Sequence, residues 1–263
     1  MTFFKQDKSM KNPESIWFGE QKVTPDEKTE QVVGVFDSVA RRYDLMNDLM
    51  SGGIHRIWKD RFVRIIRPRV RVGDKTVHYL DVAGGTGDIA FRIRRKAGPG
   101  ARITLCDLND NMLSVGRDRA LDHGWISDFQ WVTGNAESLP LPDSSVDVYT
   151  IAFGLRNVTR IDTALAEAYR VLRPGGQFFC LEFSRVEPEG LARLYGLYSD
   201  TVIPRLGKVI ANDEDSYRYL VESIRRFPSQ RKLQIRMQEA GFKRAEYSNF
   251  SAGICAVHRG IKA

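Results

Sequence analysis

From Val77 to Phe183 the chain alternates short apolar runs with longer amphipathic stretches. The runs at 77–82, 102–107, 129–133, 146–152 and 177–183 are short and mostly apolar, as the strands of a buried sheet are. Between them, 87–96, 110–122 and 161–171 place apolar residues at helical spacing. Such βαβ alternation predicts an α/β fold with a doubly wound parallel sheet. The turn Arg173-Pro174-Gly175-Gly176 should open the last of these strands. Near the C-terminus a helix over 229–240 precedes two strand-like runs, FKRAEYSNF and GICAVHRG, which can pair as a hairpin at the sheet edge. Ahead of the alternation, Val32, Val33, Phe36, Val39, Tyr43 and Met46 predict an amphipathic helix over 29–50, ended by Ser51-Gly52-Gly53. Residues 1–28 read as a loosely ordered polar tail, and 29–263 as one domain with N-terminal helices over 29–66. At 188–227 the alternation gives way to Tyr- and Arg-rich helical sequence, expected to cap the active face.

The first strand ends in Gly84, Gly85 and Gly87, and a helix starts at once. Glycines there let a ligand approach the backbone, and the helix N-terminus offers free N–H groups. Asp107 closes the second strand, where a carboxylate can accept from both hydroxyls of a ribose. Gly85, Gly87 and Asp107 therefore predict a site for a nucleoside-containing cofactor. Gly85-x-Gly87-x-x-Ala90 also satisfies the dinucleotide fingerprint, so NAD is a rival. Asp81 and Asp88 favour S-adenosylmethionine, because its ammonium and sulfonium are cationic whereas a pyrophosphate is anionic.

Composition narrows the class further. At 263 residues with 42% hydrophobic and 28% charged positions, the chain is that of one globular domain. No apolar run is long enough to cross a bilayer and the N-terminus lacks a signal-peptide core. A cytoplasmic location is expected, or the matrix side of the inner membrane in a mitochondrial homologue. Cys106, Cys180 and Cys255 each sit in an apolar run and read as reduced core residues. His55, His78, His123 and His258 show no metal-ligand spacing, so no metal is expected. The net charge of +7 points to an anionic partner. Its densest cluster is KDRFVRIIRPRVRV at 59–72, where Trp58, Phe62 and Ile65 or Ile66 alternate with Arg61 and Arg64. A helix packed on the domain is the plainer reading, and a helix resting on anionic lipid the sharper one. No RNA-binding module is recognisable, which argues against nucleic acid.

Three further segments could carry chemistry. Asn135-Ala136 follows the third strand and could meet an adenine edge. FGLRN follows the fourth strand, across the switch point from the first, and makes Arg156 and Asn157 the best-placed polar side chains. YDLMNDLMSGGIHRIW at 43–58 combines polar tips with aromatic bodies and could close over the cofactor.

Long motifs in these segments resemble the ubiquinone/menaquinone biosynthesis C-methyltransferase family. They are Tyr-Asp-x-Met-Asn-x-x-Met-Ser-x-x-x-His-x-x-Trp at 43–58 and Arg-Val-Leu-Arg-Pro-Gly-Gly-x-Phe-x-x-Leu-Glu-x-Ser at 170–184, beside DVAGGTGD, GNAESLP and FGLRNV. The resemblance runs from about Lys28 to Arg259. It implies a Rossmann-like, seven-stranded class I methyltransferase sheet, parallel with an antiparallel edge strand. It also implies S-adenosylmethionine contacts at Thr86, Asp107, Asn135 and Ala136, with Arg156 and Asn157 near the substrate ring and Tyr43 beside the reaction centre. Related chains often carry Ser where Ala152 stands here. The implied substrate is a polyprenylated benzoquinol or naphthoquinol methylated on a ring carbon. An anionic membrane surface, a quinone-biosynthesis complex and a homodimer are the partners this reading allows. An RNA methyltransferase and an inactive cofactor-binding scaffold are the alternatives.

Overall fold

The chain enters its fold earlier than the hydrophobic pattern suggests. The structure is a computed structural model and describes residues 16–18, 21–39, 48, 51–187, 190 and 214–263. Within the expected tail, β1 (Ile16–Phe18) and β2 (Gln21–Val23) pair as an antiparallel hairpin, and α1 (Pro25–Val39) begins before Thr29. The reason is a capping box. Thr24 Oγ1 accepts from the Glu27 N–H at 3.3 Å, and Glu27 Oε2 accepts from the Thr24 N–H at 2.7 Å. Pro25 occupies the first helical position, where its missing N–H costs nothing. The polar string TPDE is thus a helix start, which corrects the reading of 1–28 as a tail throughout. Residues 40–47, within the expected helix over 29–50, lie outside the described residues.

The rest follows the alternation closely. In order come α2 (His55–Ile66), a small ribbon of β3 (Arg71–Val72) and β4 (Lys75–Thr76), β5 (His78–Val82), α3 (Asp88–Ala97), β6 (Arg102–Asp107), α4 (Asp110–Asp122), β7 (Phe129–Thr133) and β8 (Val146–Ala152). A 3-10 turn at Leu155–Asn157 precedes α5 (Ile161–Val171) and β9 (Leu172–Phe183). Then follow α6 (Glu214–Arg226), α7 (Gln230–Glu239), β10 (Lys243–Phe250) and β11 (Cys255–Ile261). β9 starts earlier than expected: Leu172 pairs with Val146 before residues 173–176 bulge out and Gln177 pairs with Val148. Of the expected cap at 188–227, the described part beyond its flank is Gly190 and α6 with the residue after it.

Seven strands form one sheet in the order β7-β6-β5-β8-β9-β11-β10. β5 to β9 are parallel, while β11 runs antiparallel between β9 and β10, so the final hairpin makes the edge. The order reverses between β5 and β8, which opens a crevice at their carboxyl ends. All five β5 residues are buried, as a central parallel strand requires. β9 shows how the two cores are divided, since its side chains alternate. Phe179, Leu181 and Phe183 join the cluster under α2 and α3, while Phe178 and Cys180 join the one under α5 and α7.

α2 packs on the domain, as the plainer reading of the basic segment expects. Trp58, Phe62, Val63 and Ile66 are buried, with Phe62 set edge-on to Phe179 and Trp58 edge-on to Phe183. Its main apolar stripe packs on the core, while Ile57 stays exposed. Arg61, Arg64, Arg67 and Arg69 face outward. Among the described residues, no helix is long and apolar enough to cross a membrane.

The capping box makes a direct prediction. Thr24→Ala should cost about 1 kcal/mol, read as a lower urea midpoint at unchanged slope. An unchanged midpoint would show that the box does not hold α1.

Candidate active site

The crevice is shaped by a loop that only glycine permits at its tightest point. Gly85 has φ of +53°, and a Cβ there would lie 3.0 Å from Met112 Cε. Gly154, at the end of β8, packs so close that a Cβ would lie 2.4 Å from that of Ala83. The strand ends of β5, β6 and β8 therefore meet around one cleft. α1 supplies its outer wall through Thr29, Val32, Val33 and Phe36. Lys28 fastens that wall by donating to the Val158 carbonyl at 3.1 Å. The sequence reading gave the covering role to 43–58. Of that segment Tyr43, Asp44 and Asn47 lie outside the described residues, whereas His55 and Trp58 are buried in α2.

Three carboxylates set the electrostatics. Asp107 Oδ2 accepts from the Gly85 N–H at 2.8 Å and Oδ1 from the Asn109 N–H at 2.9 Å. Each oxygen keeps a lone pair, so the fixed carboxylate can still take two hydroxyls. Burial pushes its pKa up, against the pull of those N–H groups. Asp81 is more deeply enclosed. Thr150 Oγ1 donates to its Oδ1 at 2.7 Å, while Oδ2 is buried with no hydrogen-bond partner. Burial raises the Asp81 carboxyl to about 7, and the neighbouring Asp107 and Asp88 charges add to that rise. Asp88 differs. Burial alone would raise it, but Lys59 Nζ at 2.7 Å and Arg92 Nε at 2.8 Å outweigh that and hold it at about 2. Asp88 is thus already balanced, and the charge argument against a pyrophosphate rests on Asp81 and Asp107.

The remaining residues ring the cleft. Thr86 lines it and accepts from Arg119 Nη1 at 3.0 Å. Gly85 also lines it, while Gly87, at φ +86°, caps α3. Asn135 and Ala136 line it too, with Asn135 Oδ1 accepting from the Glu137 N–H at 2.9 Å, which leaves the amide N–H₂ for a ligand. Glu137 accepts from the Thr159 and Arg160 N–H groups at 3.0 Å each and ties this loop to the FGLRN segment. Ala152 lines the cleft without a hydroxyl.

Arg156 and Asn157 part company. Asn157 lines the cleft, and its Oδ1 accepts from the Tyr219 hydroxyl of α6 at 3.1 Å. Arg156 does not line it. Its guanidinium is buried, donating to Glu182 Oε1 at 2.8 Å and to the Phe153 carbonyl, and it stands in the wall of a second cavity. Glu182 also accepts from the Arg156 N–H at 3.3 Å, so the pair holds the turn rigidly. Tyr219, Glu182, Glu137 and Lys59 escaped the sequence reading. Glu182 had a signal, standing inside the quoted Leu-Glu-x-Ser motif, and Lys59 was read as part of a basic patch.

The site fits S-adenosylmethionine. Asp81 Oδ2 is a buried acceptor in need of a cation, as an α-ammonium is, and Asp107 is set for ribose hydroxyls. Among the described residues, no group of three His, Cys, Asp or Glu side chains could hold a metal ion. Comparisons agree with this chemistry. The model of the ubiE/COQ5 methyltransferase family matches residues 24–262. The ubiquinone/menaquinone biosynthesis C-methyltransferase UbiE of Methylobacterium nodulans is 56% identical over 93% of this chain and 96% of its own. The UbiE of Brucella abortus strain S19 is 54% identical over 93% of this chain and 90% of its own. An S-adenosylmethionine-dependent methyltransferase of Thermotoga maritima shares the fold, with a TM-score of 0.63 at 19% identity over 88% of this chain and all of that one.

Two substitutions test the carboxylates. Asp107→Asn should weaken S-adenosylmethionine binding roughly 10- to 100-fold by calorimetry, the scale of lost hydrogen bonds to a charged group. Asp81 binds a proton more tightly folded than unfolded. Its contribution to the stability of the ligand-free protein is therefore full below about pH 4 and is lost as pH rises through about 7. The stability difference between Asp81→Asn and wild type should grow over that window, and a flat difference would contradict it.

Proposed function

The chain belongs to the ubiE/COQ5 methyltransferase family and is an S-adenosylmethionine-dependent C-methyltransferase of ubiquinone or menaquinone biosynthesis; on that premise we propose that it methylates a ring carbon of a polyprenylated quinol beside Asn157. The observation that carries this reading is the pair of buried Asp81 and half-buried Asp107, a half-satisfied acidic site facing the cleft. Bound S-adenosylmethionine supplies a methyl group on a positively charged sulfur. A neutral quinol carbon is a weak nucleophile, but loss of a phenolic proton moves charge onto the ortho and para carbons. Asn157, oriented by Tyr219, is placed to hold the ring oxygen or the water that takes its proton. Holding the ring carbon in line with the donor supplies a large share of the acceleration.

Arg156 acts from behind the turn. Its bonds to Glu182 and the Phe153 carbonyl fix the backbone that presents Asn157, so it is a positioning residue in this scheme. Tyr43 joins the set on the strength of the resemblance alone. The exposed Arg64, Arg67 and Arg69 suit peripheral contact with an anionic bilayer, where such a substrate resides. That contact would be electrostatic, because the apolar face of α2 is covered. Association with a second copy or with other enzymes of quinone synthesis would leave the cleft chemistry unchanged.

Methyl transfer from labelled S-adenosylmethionine tests the reading, using a reduced short-tailed demethyl-benzoquinol, its naphthoquinol analogue and total RNA side by side. Label should appear on a quinol ring carbon. Label confined to RNA would replace the substrate, and no transfer despite tight cofactor binding would leave a scaffold. Asn157→Ala should lower kcat by on the order of 100-fold with cofactor affinity little changed. Arg156→Ala should instead destabilise the fold, by about 3–5 kcal/mol, because it leaves Glu182 buried without its ion pair.

A further inference from the structure

A second cavity lies beside the cofactor cleft and shares Val158 and Thr159 with it. Its charge is unusual. Among its described lining residues are Arg185, Arg226 and Arg236, with no carboxylate. Arg156, also in the wall, is matched by Glu182 and adds no net charge. Arg236 meets only the exposed Asp162, at 3.6 Å. Arg226 lies over the Trp17 ring at 4.0 Å, and Arg185 is exposed. Neither Arg185 nor Arg226 is in an ion pair among the described residues. Trp17 and Tyr219 supply aromatic surface to the same hollow.

Guanidinium forks match the paired oxygens of a phosphate better than those of a smaller anion. Several of them around a concave site concentrate positive potential inside it. The hollow is a single concave site, whereas a nucleic-acid strand needs an extended basic track. We propose that this cavity is a binding site for a phosphate ester. The lipid source of that phosphate rests on the quinol reading: an anionic phospholipid head held here would dock the cleft mouth at the membrane from which the substrate is drawn. The alternative source is a soluble phosphate ester, bound by the same arginines.

The test is equilibrium binding rather than turnover. The full chain is titrated with inorganic phosphate, with glycerol 3-phosphate, and with phosphatidylcholine vesicles with and without phosphatidylglycerol. The Arg185→Gln/Arg226→Gln variant is compared with a Lys96→Gln/Arg102→Gln/Lys243→Gln control, which removes more charge but none from the cavity or from the outward face of α2. Binding of the soluble esters, weakened on the order of tenfold or more in the cavity variant and not in the control, identifies a soluble phosphate. The same pattern on phosphatidylglycerol vesicles alone identifies the lipid head. No binding of any probe, or equal loss in both variants, overturns the site. Methyl transfer to a water-soluble quinol without lipid should be normal in the cavity variant. Its failure in wild type would instead count against the quinol reading, independently of the phosphate result.

Discussion

Two carboxylates facing one cleft govern this structure. Asp81 and Asp107 stand near the ends of adjacent parallel strands, and the Asp107 charge makes the buried Asp81 harder to ionise. Asp107 is relieved by two backbone N–H groups and is thereby turned into a fixed bidentate acceptor. Asp81 is relieved by one hydroxyl and retains an unmatched oxygen. Charge left unsatisfied in a dry pocket is costly unless a cation completes it. A ligand carrying an ammonium near a ribose resolves both requirements together. The nearby Asp88 cannot share that role, since Lys59 and Arg92 have already claimed it.

Around that pair the structure divides its labour between rigid and covering parts. The strand ends hold the carboxylates, and the Glu137 and Glu182 side chains brace the loops that follow β7 and β8. The covering parts come from outside the sheet: α1 over the cofactor end, and α6 with the β1–β2 hairpin beside Asn157. Phe18 stacks on Tyr219 at 4.2 Å, so the N-terminal hairpin and α6 pack together as one cover. The chain's excess of positive charge is likewise sorted by place. On α2 it faces outward above a packed apolar stripe, whereas beside α6 it converges on a hollow.

How much of this was legible depended on the range over which each interaction acts. The glycine loop and Asp107 lie within one βαβ unit, so spacing alone exposed them. The strands and the central helices were equally plain, because burial in the sheet leaves short, mostly apolar runs. The N-terminal helix start was misread because polarity was taken as looseness, although TPDE is a capping signal in its own right. Arg156 was seen but its orientation was not, since its partner Glu182 stands 26 residues away and meets it only through the pairing of β8 with β9. Tyr219 is 62 residues from Asn157 and no local pattern links them. For α2, periodicity gave the apolar face correctly, but only tertiary packing could say that β9 and α3 cover it.

The most direct test of the central claim is the number of protons released when S-adenosylmethionine binds. It is obtained from calorimetry at about pH 6 in buffers of different ionisation enthalpy. If Asp81 is protonated in the free cleft and ionises to receive the ammonium, binding should release close to one proton, and the release should vanish in Asp81→Asn. Binding with no net proton exchange, or with the same release in the variant, would contradict the account.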